Sequence, residues 1–142
     1  MTKILFVCHG NICRSPMAEY IFRDMAEKAG VADEFIVSSA GVSREEEGNP
    51  VYPPARRLLN QRGIDCHNHR ARQITQADCD NYDYIIYMDT QNARYLRRMF
   101  PDVGKFTPLL PRDVADPWYY GGFEQVYFDI CEGCGKLLED LL

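Results

Sequence analysis

The sequence has no long apolar run. No stretch of its 142 residues approaches the roughly 18 apolar residues that a membrane-spanning helix requires. The apolar part of the N-terminal segment MTKILFVCHGN is too short for a secretory signal peptide. Internal repeats, low-complexity tracts and linker-like segments are also lacking. We therefore expect residues 1–142 to form a single cytoplasmic domain without a membrane span.

The sequence also lacks an excess of positive charge. Its 16 Lys and Arg residues are outnumbered by 21 Asp and Glu residues, which gives a formal net charge of -5. Bulk electrostatics therefore do not suggest a nucleic-acid partner. An acidic protein that binds an anion must instead concentrate positive potential in a small, preorganised pocket.

Metal-ligand patterns are scarce as well. The chain has six cysteines, at positions 8, 13, 66, 79, 131 and 134, and without a secretory signal we expect them to be free thiols. Cys131 and Cys134 form a CxxC pair, but no second pair or histidine partner lies at ligand spacing, which favours core packing over zinc binding. We expect no metal and no cofactor.

Apolar periodicity predicts alternating strands and helices. The run KILFV is short, apolar and rich in β-formers, as is typical of a strand that is buried on both faces. Ser15 and Pro16 then form a helix start signal, with the serine as N-cap and Glu19 in the first turn. The predicted strands are 3–7, 35–39, 84–88 and 105–109, and the predicted helices are 15–30, 53–63, 75–79, 90–100 and 123–142. This order predicts an α/β fold with parallel strands and right-handed crossovers.

The loop between the first strand and the first helix carries the chemistry. Ligands of open α/β sheets bind at the carboxyl ends of the strands, where backbone N–H groups and the helix dipole favour an anion. A thiol at such a place ionises readily, so Cys8 is a candidate nucleophile. Arg14 offers a planar fork for two phosphoryl oxygens, and the Ser15 hydroxyl is within reach of the sulfur. Gly10 and Asn11 tolerate the unusual backbone angles of a tight turn.

The residues around this loop resemble a known family. VCHGNICRSPMAE resembles the phosphate-binding loop of the low-molecular-weight protein tyrosine phosphatases, with Cys, five residues, Arg and Ser near the N-terminus. SSAGVS, GID followed by HRARQIT, DYIIYMD and ADPWYYGG resemble further family segments in the same order. The resemblance implies a three-layer α/β fold, in which helices flank a four-stranded parallel sheet and the phosphate loop follows the first strand. It also implies hydrolysis of phosphotyrosine on proteins through a phosphocysteine intermediate.

The resemblance further implies roles for residues outside the loop. Asp116 precedes a proline, and from sequence alone an Asp-Pro pair more often marks a turn; the family places its proton donor in such a segment. Trp118 and Tyr119 are candidates for one wall of the substrate cleft. Within the loop, His9 is expected at the lip, beside Gly10, Ile12 and Cys13. The side chains implied to hold the loop in shape are Asn11, Ser39 and His69.

Two features leave alternatives open. Cys13 either pairs with Cys8 in a protective disulfide, as in some members of the family, or only packs in the loop. The loop after the second strand carries Glu45, Glu46 and Glu47 where family members usually have an aromatic residue, and Tyr52 is the candidate substitute. The glutamates either disfavour acidic peptides or form a solvated turn.

Three rival functions share parts of this sequence pattern. An arsenate reductase would need further downstream cysteines, and Cys79 stands alone in the appropriate region. The related phosphoarginine phosphatases typically have Thr at the position of Ile12. A non-catalytic phosphotyrosine-binding module would be expected to lack Cys8 or Asp116. The expected partner is a phosphotyrosine-containing protein, with a tyrosine kinase as one candidate. The sequence does not specify the oligomeric state, for which a monomer is favoured.

Overall fold

The fold is built on one parallel sheet. The computed structural model describes all residues from Met1 to Leu142, with four strands in the order β2-β1-β3-β4 and parallel pairing throughout. The strands are β1 (Thr2–Cys8), β2 (Phe35–Gly41), β3 (Tyr84–Tyr87) and β4 (Phe106–Pro108). The helices are α1 (Arg14–Lys28), α2 (Pro53–Gln61), α3 (Gln76–Asn81), α4 (Thr90–Met99), α5 (Pro117–Tyr120) and α6 (Phe123–Leu141).

Strand β1 organises both sides of the sheet. Ile4 and Phe6 belong to the larger apolar core, which packs against α1, α2 and α6. Leu5 and Val7 point the opposite way into a smaller core with residues of α3 and α4. The alternation of side chains along a strand makes this double burial the direct consequence of an uninterrupted apolar run. The predicted three-layer α/β fold with a four-stranded parallel sheet is confirmed.

The start of α1 differs from the prediction. The helix begins at Arg14, its N-cap residue is Cys13, and no side chain caps it, so the prediction of Ser15 as N-cap was wrong. The Ser15 hydroxyl is instead directed at the Cys8 sulfur. Glu19 was also misplaced, because the first turn holds no acidic residue and its side chain is buried.

The topology places the ends of β1 and β3 side by side. These central strands end at Cys8 and Tyr87, and parallel strands direct their carboxyl ends to one edge of the sheet. The β1–α1 loop and the segment after β3 therefore share that edge. None of the six α-helices combines the length and the apolar character needed to span a bilayer.

Candidate active site

The β1–α1 loop forms an open ring of backbone donors. None of the N–H groups from Gly10 to Ser15 donates to a protein acceptor. Asn11 takes the left-handed conformation with φ 61°, whereas Gly10, predicted to tolerate unusual backbone angles, does not have a positive φ. Gly41 of β2 lies so close that a Cβ there would be 2.7 Å from the His9 carbonyl oxygen. The loop is thus pressed against β2 with its N–H groups free for an anion.

Asn11 fixes the shape of this loop. Its Nδ2 donates to Ser15 Oγ at 2.8 Å and to Ser39 Oγ at 3.0 Å, and its Oδ1 accepts from the Arg72 backbone N at 3.1 Å. Its carbonyl oxygen lies 2.7 Å from His69 Nε2. A carbonyl can only accept, so His69 carries its proton on Nε2. These contacts span the loop, the end of β2 and the segment before α3.

A buried carboxylate supports the same network. Glu19 Oε1 accepts from Ser39 Oγ at 2.6 Å, and Glu19 Oε2 pairs with Arg23 Nη1 at 2.7 Å. Burial lowers the pKa of His69 below its ordinary value, so its ring is neutral at pH 7. The network therefore joins the Glu19–Arg23 pair, through Ser39, to the hydrogen bonds around Asn11.

Cys8 and Ser15 form the contact at the base of the loop. Cys8 is 2% exposed, and its Sγ lies 3.0 Å from Ser15 Oγ. The Ser15 hydroxyl has one proton and two acceptors, the sulfur and the Ala40 carbonyl oxygen at 3.3 Å. The nearer of the two is the sulfur, so the Ser15 hydroxyl is placed to donate to Cys8 whenever that sulfur is ionised.

Arg14 is held by acidic groups from two other segments. Its guanidinium is 2% exposed, and Nη1 donates to Asp89 Oδ2 at 2.7 Å and to the Val114 carbonyl at 2.8 Å. Nη2 lies 3.4 Å from Asp116 Oδ2. Burial opposes the charge, but the neighbouring Cys8 and Asp89 outweigh it and raise the pKa of Arg14 above its usual value. Arg14 is a fixed cation.

The loop forms the floor of a cleft with a volume of about 100 Å³. Trp118 and Tyr119 line one wall, and Glu45 and Glu46 line the rim. Tyr52, the predicted substitute for the missing aromatic residue, is not among the lining residues and packs against Trp118 from behind. The cleft residues from the loop and from the segment after Val114 are Cys8, His9, Gly10, Ile12, Cys13, Arg14 and Asp116.

The cysteines are all free thiols. Burial and the neighbouring Cys8 raise the pKa of the Cys13 thiol, so Cys13 stays protonated at pH 7. Of the two alternatives for Cys13, the disulfide with Cys8 is not formed in this structure. Cys134 is fully buried in the larger core, as the packing interpretation of the CxxC pair expected.

Comparisons with known proteins identify the family. The sequence model of the family described as "Low molecular weight phosphotyrosine protein phosphatase" matches residues 3–142. The chain belongs to this family. It is 42% identical to low molecular weight protein-tyrosine-phosphatase YfkJ of Bacillus subtilis, over 99% of this chain and 96% of that protein. The crystal structure of YfkJ has a TM-score of 0.95 over 99% of this chain and 94% of that chain. The family phosphatase of Sus scrofa is 38% identical over 96% of this chain and 94% of that protein.

Two residues of this low molecular weight phosphatase escaped the sequence interpretation. Asp89 was not singled out, although it lies two residues after the end of β3 and caps α4 by accepting from the Asn92 backbone N at 2.7 Å. Its position just after a predicted strand was the sequence signal that could have indicated it, because functional side chains of α/β sheets lie at the carboxyl ends of the strands. Glu19 was interpreted only as a charge at a helix start, and its role in the network depends on the position of Ser39.

Proposed function

We propose that residues 1–142 form a single phosphatase domain that hydrolyses phosphotyrosine on proteins through a phosphocysteine intermediate. The observation that carries this proposal is the run of unpaired N–H groups from Gly10 to Ser15 around Cys8. Together with the buried Arg14, they form a site for a tetrahedral dianion directly beside a nucleophile. Asp116 lies across the same cleft.

The first step transfers the phosphoryl group to sulfur. The Cys8 thiolate attacks phosphorus, so that a P–S bond forms while the P–O bond to the tyrosyl ring breaks. Nη1 of Arg14 is occupied by Asp89 and Val114, which leaves the edge formed by Nε and Nη2, with only the long Asp116 contact at Nη2, to bind phosphoryl oxygens. The loop N–H groups hold the remaining oxygens. Asp116 gives its proton to the departing phenolate oxygen.

The second step restores the enzyme. Asp116, now ionised, accepts a proton from a water molecule that attacks phosphorus and breaks the P–S bond. The Cys8 sulfur leaves as a thiolate, which the Ser15 hydroxyl at 3.0 Å stabilises. Arg14 and the loop dipoles supply the positive potential, so this mechanism uses no metal and no cofactor. A nucleophilic thiolate requires reducing conditions, which favours the cytoplasm.

The rival chemistries fit the cleft less well. Cys79, the cysteine available for an arsenate-reductase relay, is buried in the smaller core and does not line the cleft. Ile12 lines the cleft and narrows it, which favours a flat tyrosyl ring over a phosphoarginine side chain. Cys8, Arg14 and Asp116 together provide a complete set of groups for turnover, which a binding module does not need.

The charge of the rim bears on which proteins are substrates. Glu45 and Glu46 line the cleft, and Glu45 Oε1 lies 3.9 Å from His9 Nε2. These carboxylates repel acidic side chains that flank a phosphotyrosine and attract basic ones. The effect is moderate, because exposed charges are screened by salt. We propose a preference for phosphotyrosines with Lys or Arg neighbours.

A steady-state assay tests the proposed function. The purified protein is expected to hydrolyse 4-nitrophenyl phosphate and a phosphotyrosine peptide in the presence of a chelator, and to lose activity when vanadate is added. Matched phosphotyrosine peptides with Lys or Glu flanks test the proposed preference for basic neighbours. A phosphoarginine substrate tests the rival phosphoarginine phosphatase activity. A protein that is inactive on both aryl esters contradicts the function. Equal kcat/KM for the two peptides contradicts only the flank preference.

Replacing Asp89 with asparagine is expected to lower kcat/KM about 10- to 100-fold. The variant loses a charge-assisted hydrogen bond to Arg14, which contributes roughly 1.5–3 kcal/mol. Asparagine is as good an N-cap as aspartate, so the free energy of unfolding should fall by no more than this same contribution of roughly 1.5–3 kcal/mol. Kinetics and urea unfolding of the two proteins check this. An unchanged kcat/KM would show that Arg14 does not need Asp89.

A further inference from the structure

The segment that carries Asp116 is weakly tied to the rest of the protein. In residues 115–122, the backbone N–H groups of Tyr119 and Tyr120 donate to the Asp116 carbonyl, and that of Gly121 donates to the Pro117 carbonyl. The segment ends in two consecutive glycines with φ 69°, a conformation that favours glycine, and the second of them is the N-cap residue of α6. Its backbone hydrogen bonds therefore do not fix it against the cleft.

Side chains supply the missing anchors. The Asp116 carboxylate reaches Arg14 only at 3.4 Å, and Pro117 is buried. The third anchor is Trp118, whose ring centroid lies 4.7 Å from that of Tyr52 at an interplanar angle of 59°. Such tilted aromatic pairs are attractive beyond the area that they bury.

Tyr52 is itself firmly held. Its ring stacks on Phe123 at 6.1 Å and 25°, and its backbone N donates to the Ile12 carbonyl of the phosphate loop at 2.8 Å. Its main chain is thus bonded to the phosphate loop while its ring supports the Asp116 segment. Within that segment, the Trp118 backbone N donates to Asp116 Oδ1 at 3.0 Å, so the position of Trp118 is linked directly to that of the Asp116 carboxylate.

We propose that Tyr52 is a positioning residue for the proton donor. By holding Trp118, its ring keeps the Asp116 carboxyl at a fixed height above the phosphate loop, although Tyr52 itself does not line the cleft. The inference rests on the proposed role of Asp116 in the first step. A carboxyl that is displaced by a fraction of an ångström protonates the leaving oxygen less efficiently.

Leaving-group dependence distinguishes positioning from a general structural role. Tyr52→Ala is expected to lower kcat/KM for phenyl phosphate on the order of tenfold, and to leave 4-nitrophenyl phosphate within about twofold, because nitrophenolate departs without a proton. Tyr52→Phe should behave like the wild type, since its ring makes the same contacts. Tyr127→Ala is the matched control, a half-buried tyrosine of α6 that packs against Arg62.

The outcomes separate the inference from the function on which it rests. In an Asp116→Asn background, Tyr52→Ala should cause no further loss on phenyl phosphate. Equal losses on both esters, or no loss on either, would overturn the inference while an active wild type upholds the function. A wild type that is inactive on both esters would overturn both. Tyr52→Leu keeps an apolar side chain and gives the same contrast if the alanine variant does not fold.

Discussion

Replacing Cys8 with serine is expected to abolish turnover, with kcat falling on the order of 10⁴- to 10⁶-fold. The serine hydroxyl stays protonated in the same loop, because alcohols are far weaker acids than thiols, so no anion attacks phosphorus. The N–H groups of residues 10–15 and Arg14 remain in place. The variant should therefore still bind a phosphotyrosine peptide, which calorimetry can measure independently of turnover.

The control for this variant is Cys131→Ser, which makes the same atomic change in the half-buried part of α6. It is expected to keep the wild-type kcat. Acid quenching during turnover of a labelled phosphotyrosine peptide should trap phosphate on the wild type and on Cys131→Ser, but not on Cys8→Ser. Ordinary activity of Cys8→Ser with a chelator present would show that the covalent route is wrong.

The strands of the sheet could be predicted because short runs of neighbouring apolar residues indicate them. The run from Ile4 to Val7 is apolar at every position, and the structure buries its alternate side chains in two different cores. Helix α5 was not predicted, since its four residues are too few to show a period. The misassigned cap at Ser15 has a different cause. A helix-start rule considers only neighbours in the chain, whereas the hydroxyl bonds to Cys8 across the loop.

The site residues that could be predicted are those that lie close together in the sequence. Cys8 and Arg14 lie in one loop, so strand, turn and helix signals were sufficient to single them out. Asp116 needed the family resemblance, because an Asp-Pro pair alone indicates a turn. Asp89 is 75 residues from Arg14 in the chain, and their contact depends on β3 pairing with β1. No local pattern encodes that pairing, which is why the partner of the arginine was missed.

Replacing Asp116 with asparagine is expected to lower kcat/KM for phosphotyrosine about 10²- to 10⁴-fold, the usual contribution of a general acid. The amide oxygen can still accept from the Trp118 backbone N, as Asp116 Oδ1 does at 3.0 Å, so the segment keeps its shape. The amide cannot donate a proton to the phenolate. For 4-nitrophenyl phosphate the loss in kcat/KM should be much smaller, because that leaving group needs little protonation.

Comparing kcat/KM with kcat distinguishes the role of Asp116 as acid in the first step from its role as base in the second. The constant kcat/KM reports the steps up to transfer of the phosphoryl group to Cys8, whereas kcat includes the hydrolysis of the phosphocysteine, in which Asp116 acts as base. With 4-nitrophenyl phosphate the variant should therefore lose kcat strongly, nearly keep kcat/KM and accumulate phosphoenzyme. Asp113→Asn is the matched control, since Asp113 lies three residues earlier and bonds to Thr90 at 2.9 Å, away from the reacting atoms. Equal losses of kcat/KM on both esters would mean that Asp116 stabilises the site without transferring a proton.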